Sequence, residues 1–405
     1  MQSLFGILCL IALGWLISVD RAKIQWSIVF KGVALQWALA FLILKTSFGG
    51  IFFDGAQAFV STLINIAKAA GKGVLGESAL GLDGSPAILG AVVIVTVVFF
   101  SAMFAMFQHI GLVRLLVGGM ARIMSRLMGT SGSESTVAAA NIFVGQTEAP
   151  LLVRSYLSSM TRSELGAIMT VGFATVAGGV FAIYVEMMGS VVPGIAGHLL
   201  AATVMSAPMG LAMAKVVFPE TQTSPTMGKN LNHPDSDYAN SLDAASTGAA
   251  EGMKLSINIL AMLVAFLGLL GLVNALLAFL WNDAVTLQSL LGYIFSPIAW
   301  LLGVPSGEIN QVGSLLGTKI AVNEYVAFLE LQRQSDLGLS PSAKIISSYA
   351  LCGFSNFSSI AIQIGGLSTL VPGRRKEIAS IGLRAMLAGT LATYCTAATA
   401  AIFLV

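Results

Sequence analysis

The chain alternates between long apolar runs and short polar gaps. Eight runs are long enough to cross a bilayer: 3–19, 26–45, 86–113, 164–188, 194–217, 254–281, 342–370 and 378–404. About 20 apolar residues cover the roughly 30 Å of hydrocarbon. The stretches 84–113, 187–214, 255–282, 345–373 and 385–405 contain no Asp, Glu, Lys or Arg at all. Three further stretches read as interfacial amphipathic helices. Residues 53–72 carry Asp54, Lys68 and Lys72, and residues 114–128 set Arg114, Arg122 and Arg126 against Leu and Met at helical spacing. The third, 284–303, holds Pro297. Two segments, 131–160 and 305–334, consist of two half-length apolar pieces around a central Glu. These read as re-entrant hairpins, because irregular backbone survives at membrane depth only where protein or a cavity covers it.

Composition agrees with an all-α integral membrane protein. The 405 residues are 56% hydrophobic and 10% charged, against about 25% charged in soluble domains. A net charge of +2 gives no case for nucleic acid. Cys9, Cys352 and Cys395 lie in apolar surroundings without CxxC spacing, and His109, His198 and His233 are scattered. Neither pattern supports a metal site. The N-terminal QSLFGILCLIALGWLISV has no basic n-region and no small-residue cleavage site, so it reads as a first span.

Basic residues set the orientation. Arg21, Lys23, Lys31, Arg114, Arg122, Arg126, Arg154, Arg162, Lys215, Lys229, Lys254, Arg374, Arg375, Lys376 and Arg384, 15 of the 21 basic residues, fall on one side of this layout, and that side is cytoplasmic by the positive-inside rule. Eight crossings then leave both termini outside, and the two hairpins enter from opposite faces. The polar stretch 219–250 reads as a solvated cytoplasmic loop.

Glu148 and Glu324 carry the candidate chemistry. A carboxylate at the bilayer centre costs roughly 2.5–3.5 kcal/mol on insertion scales and usually faces a partner or a cavity. Each hairpin is followed by a span broken by a similar motif, GFATVAGG at 172–179 and GFSNFSS at 353–359. Hairpin, broken span, span thus occurs twice. Paired interrupted segments mark the substrate site of transporters with inverted repeats. In the first hairpin Gly145 permits a tight tip and Pro150 suits the start of the returning half-helix. Gln146, Thr147 and Glu148 crowd polar atoms there. Asn141, the Val144 carbonyl, Thr147, Thr175 and the Val176 carbonyl supply about five oxygens for a small hard cation, although close helix packing accounts equally well for the glycines. In the second hairpin Glu324 follows Asn323, and a carboxylate matches the vicinal hydroxyls of a sugar. Asn356 and Ser359 share a helix face. Phe354 and Phe357 offer flat apolar surface, a role that aromatic residues more often fill in a core.

Four ordered segments resemble the concentrative nucleoside transporters: ANIFVGQTEAPLLVRSY (140–156), GFATVAGGV (172–180), VNEYVAFLELQ (322–332) and CGFSNFSSIAIQIGGL (352–367). The resemblance covers most of 86–405, while the first 85 residues match in hydropathy alone. It implies a homotrimer in a bacterial inner membrane, each protomer divided into a scaffold and a transport domain. The scaffold would comprise 1–113 and 251–283. The transport domain would comprise 114–217 with hairpin 131–160, and 284–405 with hairpin 305–334, the two parts joined by the linker 218–250. By resemblance Gln146, Thr147 and Glu148 face the nucleobase, with Val180 and Phe354 lining its pocket. Glu324, Asn356 and Ser359 hold the ribose. Asn141, Val144, Thr147, Thr175 and Val176 hold one sodium ion. GQTEA at the first tip resembles the sodium-coupled branch; the proton-coupled branch resembles GQSEN. Ser355 stands where Ala is usual, and Gly179 where Ser or Thr is common. The expectation is a sodium-coupled nucleoside symporter working by elevator-type alternating access, with sodium as coupling ion and no cofactor. A proton-coupled symporter is the near alternative; a channel or an intramembrane enzyme is less consistent with polar groups clustered at two tips and two breaks.

Overall fold

The computed structural model describes residues 1–229, 231, 238–281, 285–336 and 338–404, all helix or connecting loop. The first part holds α1 (Gln2–Leu16), α2 (Trp26–Lys45), α3 (Ser47–Leu75), α4 (Leu89–His109) and α5 (Leu112–Met128). Next come α6 (Gly132–Ala140), a 3-10 segment (Ala149–Tyr156), α7 (Arg162–Ala174), α8 (Gly178–Met188) and α9 (Ile195–Val217). The last part runs α10 (Ser241–Trp281), α11 (Leu287–Leu302), α12 (Ile309–Ala321), α13 (Glu324–Asp336), α14 (Pro341–Leu351), α15 (Phe357–Leu370) and α16 (Arg375–Leu404).

Among the described residues, seven helical stretches have the length and apolar content of a span, not eight. Helix α1 has only 15 residues. The stretch 342–370 is cut between α14 and α15. Conversely, residues 53–72 lie within a 29-residue helix, α3, that meets the span criterion while remaining amphipathic. Its Lys68 reaches Glu186 of α8 in an ion pair.

The linker also differs from the solvated loop expected over 219–250. Residues 241–250 belong to α10, whose 41 residues extend about 60 Å at 1.5 Å per residue. Residues 220–229 lie on α6 and α7. The Gly132 amide donates to the Thr226 carbonyl at 3.0 Å. The cause is a buried carboxylate that gathers hydroxyls: Glu164 accepts from Ser131 (2.8 Å), Ser133 (2.7 Å), Ser224 (2.6 Å) and Thr226 (3.2 Å). Beside it Lys215, 2% exposed, pairs with Glu134 and donates to Ser163 at 2.8 Å. Capping boxes start both neighbouring helices, Ser131 with Glu134 on α6 and Thr161 with Glu164 on α7. Residues 232–237 lie outside the described residues.

Small residues set the tightest packing. A Cβ at Gly248 or Gly252 of α10 would fall 2.7 or 2.8 Å from α4 atoms, so these glycines let α10 lie directly on α4. The core is deepest around α7 and α9, which are almost wholly buried, and around the part of α16 from Ala385 to Ala401. There the two breaks meet. The chain leaves helical geometry at Thr175 (φ −123°, ψ 167°), freeing the last carbonyls of α7. One of them, that of Phe173, accepts a hydrogen bond from Ser355 of the second break at 2.8 Å. Gly353 packs so near that a Cβ would lie 2.9 Å from the same oxygen. Ser355 therefore satisfies a buried carbonyl that alanine would leave to another partner.

Candidate functional site

Glu324 is the first residue of α13, and only 7% of it is exposed. The Asn323 side chain accepts from the Val326 amide at 2.9 Å and so fixes the turn that presents it. Each carboxylate oxygen has its own donor. Asn356 Nδ2 reaches Oε2 at 2.7 Å, and the Tyr184 hydroxyl reaches Oε1 at 2.9 Å. Asn356 is held in turn as the N-cap of α15: its Oδ1 accepts from the Ser359 amide (2.8 Å) and the Ser358 hydroxyl (2.7 Å). Tyr184 is held by stacking on Phe328, with centroids 4.6 Å apart. A carboxylate offers about four lone-pair directions, so this fixed Glu324 keeps accepting capacity for a ligand.

The first tip faces it across a cavity of about 200 Å³. Gln146 accepts from Gln363 Nε2 at 2.7 Å, and that same nitrogen donates to the Met169 carbonyl at 3.1 Å. The Thr147 hydroxyl donates to Glu148 at 2.9 Å. Behind the tip the returning segment Ala149–Tyr156 is a 3-10 helix with Val153 off helical geometry, where the sequence pattern suggests a regular half-helix. Pro150 stands in its first turn as expected.

The cavity gathers the expected ligand residues from distant parts of the chain. Gln146, Thr147, Glu148, Val180, Glu324, Phe354, Asn356 and Ser359 all line it. Phe357 does not; it is 55% exposed elsewhere. Gly179 lies outside the lining too and faces Ser101 of α4, so a hydroxyl here would meet α4 instead of the pocket. Three residues that no motif singles out complete the site: Tyr184 and Asn258 line the cavity, and Gln363 holds Gln146. Tyr184 stands four residues after Val180, and Gln363 four after Ser359, each a polar group one helical turn beyond a site residue; that spacing was the available signal. Asn258 arrives from α10, and nothing in the sequence near it marks it.

The expected cation ligands lie on two neighbouring pieces of backbone. Asn141 caps α6 and donates to the Val137 carbonyl at 3.0 Å, which leaves its buried Oδ1 with no partner. Thr175 donates to the Val171 carbonyl at 2.9 Å, so its oxygen keeps lone pairs free. The loop and the break touch: a Cβ at Gly178 would sit 2.8 Å from the Phe143 carbonyl, and one at Gly145 would sit 3.3 Å from Ala177 Cβ. Val176 is buried there, and Val144 and Thr147 flank Gly145 in the same loop. A buried, unpartnered amide oxygen beside freed backbone fits a small hard cation. Among the described residues no group of three or more His, Cys, Asp or Glu side chains could hold a metal.

Three family models match: "Na+ dependent nucleoside transporter C-terminus" over residues 198–401, "Na+ dependent nucleoside transporter N-terminus" over 5–78, and "Nucleoside recognition" over 91–191. An uncharacterized transporter of Bacillus subtilis, YutK, is 40% identical over 99% of this chain and 98% of its own length. The human sodium/nucleoside cotransporter 1 is 37% identical over 99% of this chain and 63% of its own length. Among solved structures, CNTnw in an inward-facing substrate-bound state superposes with TM-score 0.93 at 38% identity, covering 99% of this chain and 97% of that one. This chain belongs to the concentrative nucleoside transporter family. It is therefore a multi-pass membrane transporter and not an enzyme, and its family is described as sodium-dependent. As a concentrative nucleoside transporter it needs a site that can bind and release a polar solute inside the bilayer, and the cavity between Glu148 and Glu324 is built from family-motif segments of both halves of the chain.

Proposed function

We propose that the chain is a sodium-coupled nucleoside symporter that works by elevator-type alternating access. The observation that carries this reading is the single cavity shared by both broken repeats. Glu324, Asn356 and Ser359 bind the ribose hydroxyls there, while Gln146, Thr147 and Glu148 meet the base beside Val180 and Phe354. Asn141, Val144, Thr147, Thr175 and Val176 hold one sodium ion at the first break. Because Thr147 belongs to both sets, ion and nucleoside order the same tip, which is the basis of coupling. One charge moving down about 100 mV gains about 2.3 kcal/mol, and a tenfold gradient adds about 1.4 kcal/mol. Together these support accumulation of roughly a few hundred-fold.

Solved states of CNTnw, inward-facing with substrate and outward-facing in a variant, support alternating access as the mode of transport. In this chain the segments 131–160 and 305–334 act as re-entrant hairpins entering from opposite faces. They travel with α7–α9 and α12–α16 as a transport domain, and α1, α2, α4 and α10 form the scaffold. Helix α10 presents Val264, Leu272, Phe279 and Trp281 outward, a surface suited to lipid and to neighbouring copies in the homotrimer that the family resemblance implies. The membrane is the bacterial inner membrane.

Uptake of labelled uridine and adenosine into proteoliposomes, with sodium and proton gradients imposed separately, tests the proposal. Uptake should follow the sodium gradient. If it follows the proton gradient and ignores sodium, the ion assignment fails and the chain is the proton-coupled kind of the same carrier.

A further inference from the structure

Lys319 of α12 is 0% exposed, one of the largest fully buried side chains of the protein. A buried ammonium normally sits against a carboxylate. This one forms no ion pair among the described residues. Its Nζ donates to the Ala350 carbonyl at 2.8 Å and to the Thr393 hydroxyl at 3.4 Å, and it lies 5.9 Å from the centre of the Tyr394 ring. Thr393 donates its own proton to the Thr390 carbonyl, so its oxygen is free to accept.

The position of Ala350 explains the arrangement. It is the penultimate residue of α14, the half-helix that ends at the second break. A helix C-terminus carries orphan carbonyls and partial negative charge, and it favours a cation. On the far side of the break α15 begins, and the N-terminus of a helix favours an anion. Asn356 caps that end and holds Glu324. One hairpin thus sends a cation to the negative stub and an anion to the positive stub, from positions five residues apart in the sequence.

Among the described residues the first break shows no such built-in cation. Helix α7 ends at Ala174; Thr175 takes its Val171 carbonyl and Ser355 its Phe173 carbonyl, both neutral hydroxyls, and in the neighbouring loop the Asn141 oxygen, with Thr175 a proposed sodium ligand, has no partner. We infer that Lys319 is a positioning residue, the resident cation of the second repeat, which fills at the end of α14 the electrostatic role that sodium fills at the end of α7 and thereby holds Glu324 and Asn356 in register for the ribose. This rests on the reading of Glu324 as a ribose ligand. It also gives a physical reason why two similar breaks need a single coupling ion.

The test compares uridine with 2′,3′-dideoxyuridine in equilibrium binding to the purified full-length protein across a sodium titration. Lys319→Met should weaken uridine binding by tenfold or more and dideoxyuridine binding by less than threefold. Saturating sodium should not restore the loss, because the missing charge is not the mobile one. Lys319→Arg should recover most of the affinity. Thr393→Val, which removes one acceptor and leaves the charge, should move binding in the same direction by a few-fold and keeps the test open if Lys319→Met does not fold. Uridine affinity unchanged in Lys319→Met, or fully restored by sodium, overturns the inference, as does unchanged affinity in Thr393→Val when Lys319→Met cannot be purified. If the parent itself binds both nucleosides equally, the ribose reading of Glu324 fails. A sodium-resistant loss in Lys319→Met then still supports the resident cation.

Discussion

At the scale of single residues, the site depends on carboxylates whose partners are fixed before a ligand arrives. Glu324→Gln keeps the shape but loses charge-assisted hydrogen bonds, each worth about 1.5–3 kcal/mol. Nucleoside binding should weaken roughly tenfold or more, and removal of the 2′- or 3′-hydroxyl should cost the variant less than it costs the parent. Equal penalties in both would show that Glu324 does not read the sugar. Tyr184→Phe deletes one donor to the same carboxylate and should weaken binding by a smaller factor, about three- to tenfold for a loss near 1 kcal/mol. Lys215 is the structural contrast. It lies away from the cavity and is paired with Glu134 in the interior. Lys215→Met leaves a buried carboxylate alone, a change that costs about 3–5 kcal/mol where a buried pair is broken. The expected result is a clearly lowered midpoint of thermal unfolding in detergent; a midpoint equal to the parent's would mean that Glu134 finds another partner.

At the scale of elements, the two broken spans create the site. Each break frees carbonyls at the end of one half-helix and amides at the start of the next. The second break is satisfied by protein groups: Lys319 takes the Ala350 carbonyl of the half-helix that ends there, and Asn356 caps the one that begins. The first leaves an amide oxygen unpartnered at Asn141. Asn141→Ala should therefore raise the sodium concentration needed for half-maximal uptake. Nucleoside affinity should largely recover at saturating sodium, because linkage between two ligands is reciprocal. Unchanged sodium dependence in this variant would place the ion elsewhere.

At the scale of the whole molecule, the cavity brings parts of the proposed transport domain against one scaffold helix. Leu255 and Asn258 of α10 line the same space as Ile362 of α15 and the first tip. If the site moves as a unit past α10, joining the two sides must stop it. Cysteines at Leu255 and Ile362, in a protein whose Cys9, Cys352 and Cys395 have been replaced, can be bridged by a short bifunctional thiol reagent. Bridged protein should lose uptake while still binding nucleoside from one side. Transport at the parent rate after complete bridging would exclude this motion.

The sequence alone determined the class of the protein and the segments that carry its proposed site. Apolar runs that long and that poor in charge have no stable place outside a bilayer, and two acids inside broken runs have no cheap place away from a cavity. The motif residues Gln146, Thr147, Glu148, Val180, Glu324, Phe354, Asn356 and Ser359 accordingly fall on one wall system. Tertiary structure decided what periodicity cannot express. Tyr184 donates to an acid 140 residues away, and Gln363 to a glutamine 217 residues away. The linker, read as a solvated loop, folds back because Glu164 draws Ser224 and Thr226 inward. Lys319, an ordinary lysine beside a motif in the sequence, becomes a buried cation because the end of α14 is brought to it. Local pattern fixes which residues share a helix face, since that depends on spacing along one chain segment. Partners across the core depend on how helices cross, and that is set by glycine contacts such as Gly248 on α4 and Gly353 on α7, which have no trace in any single segment.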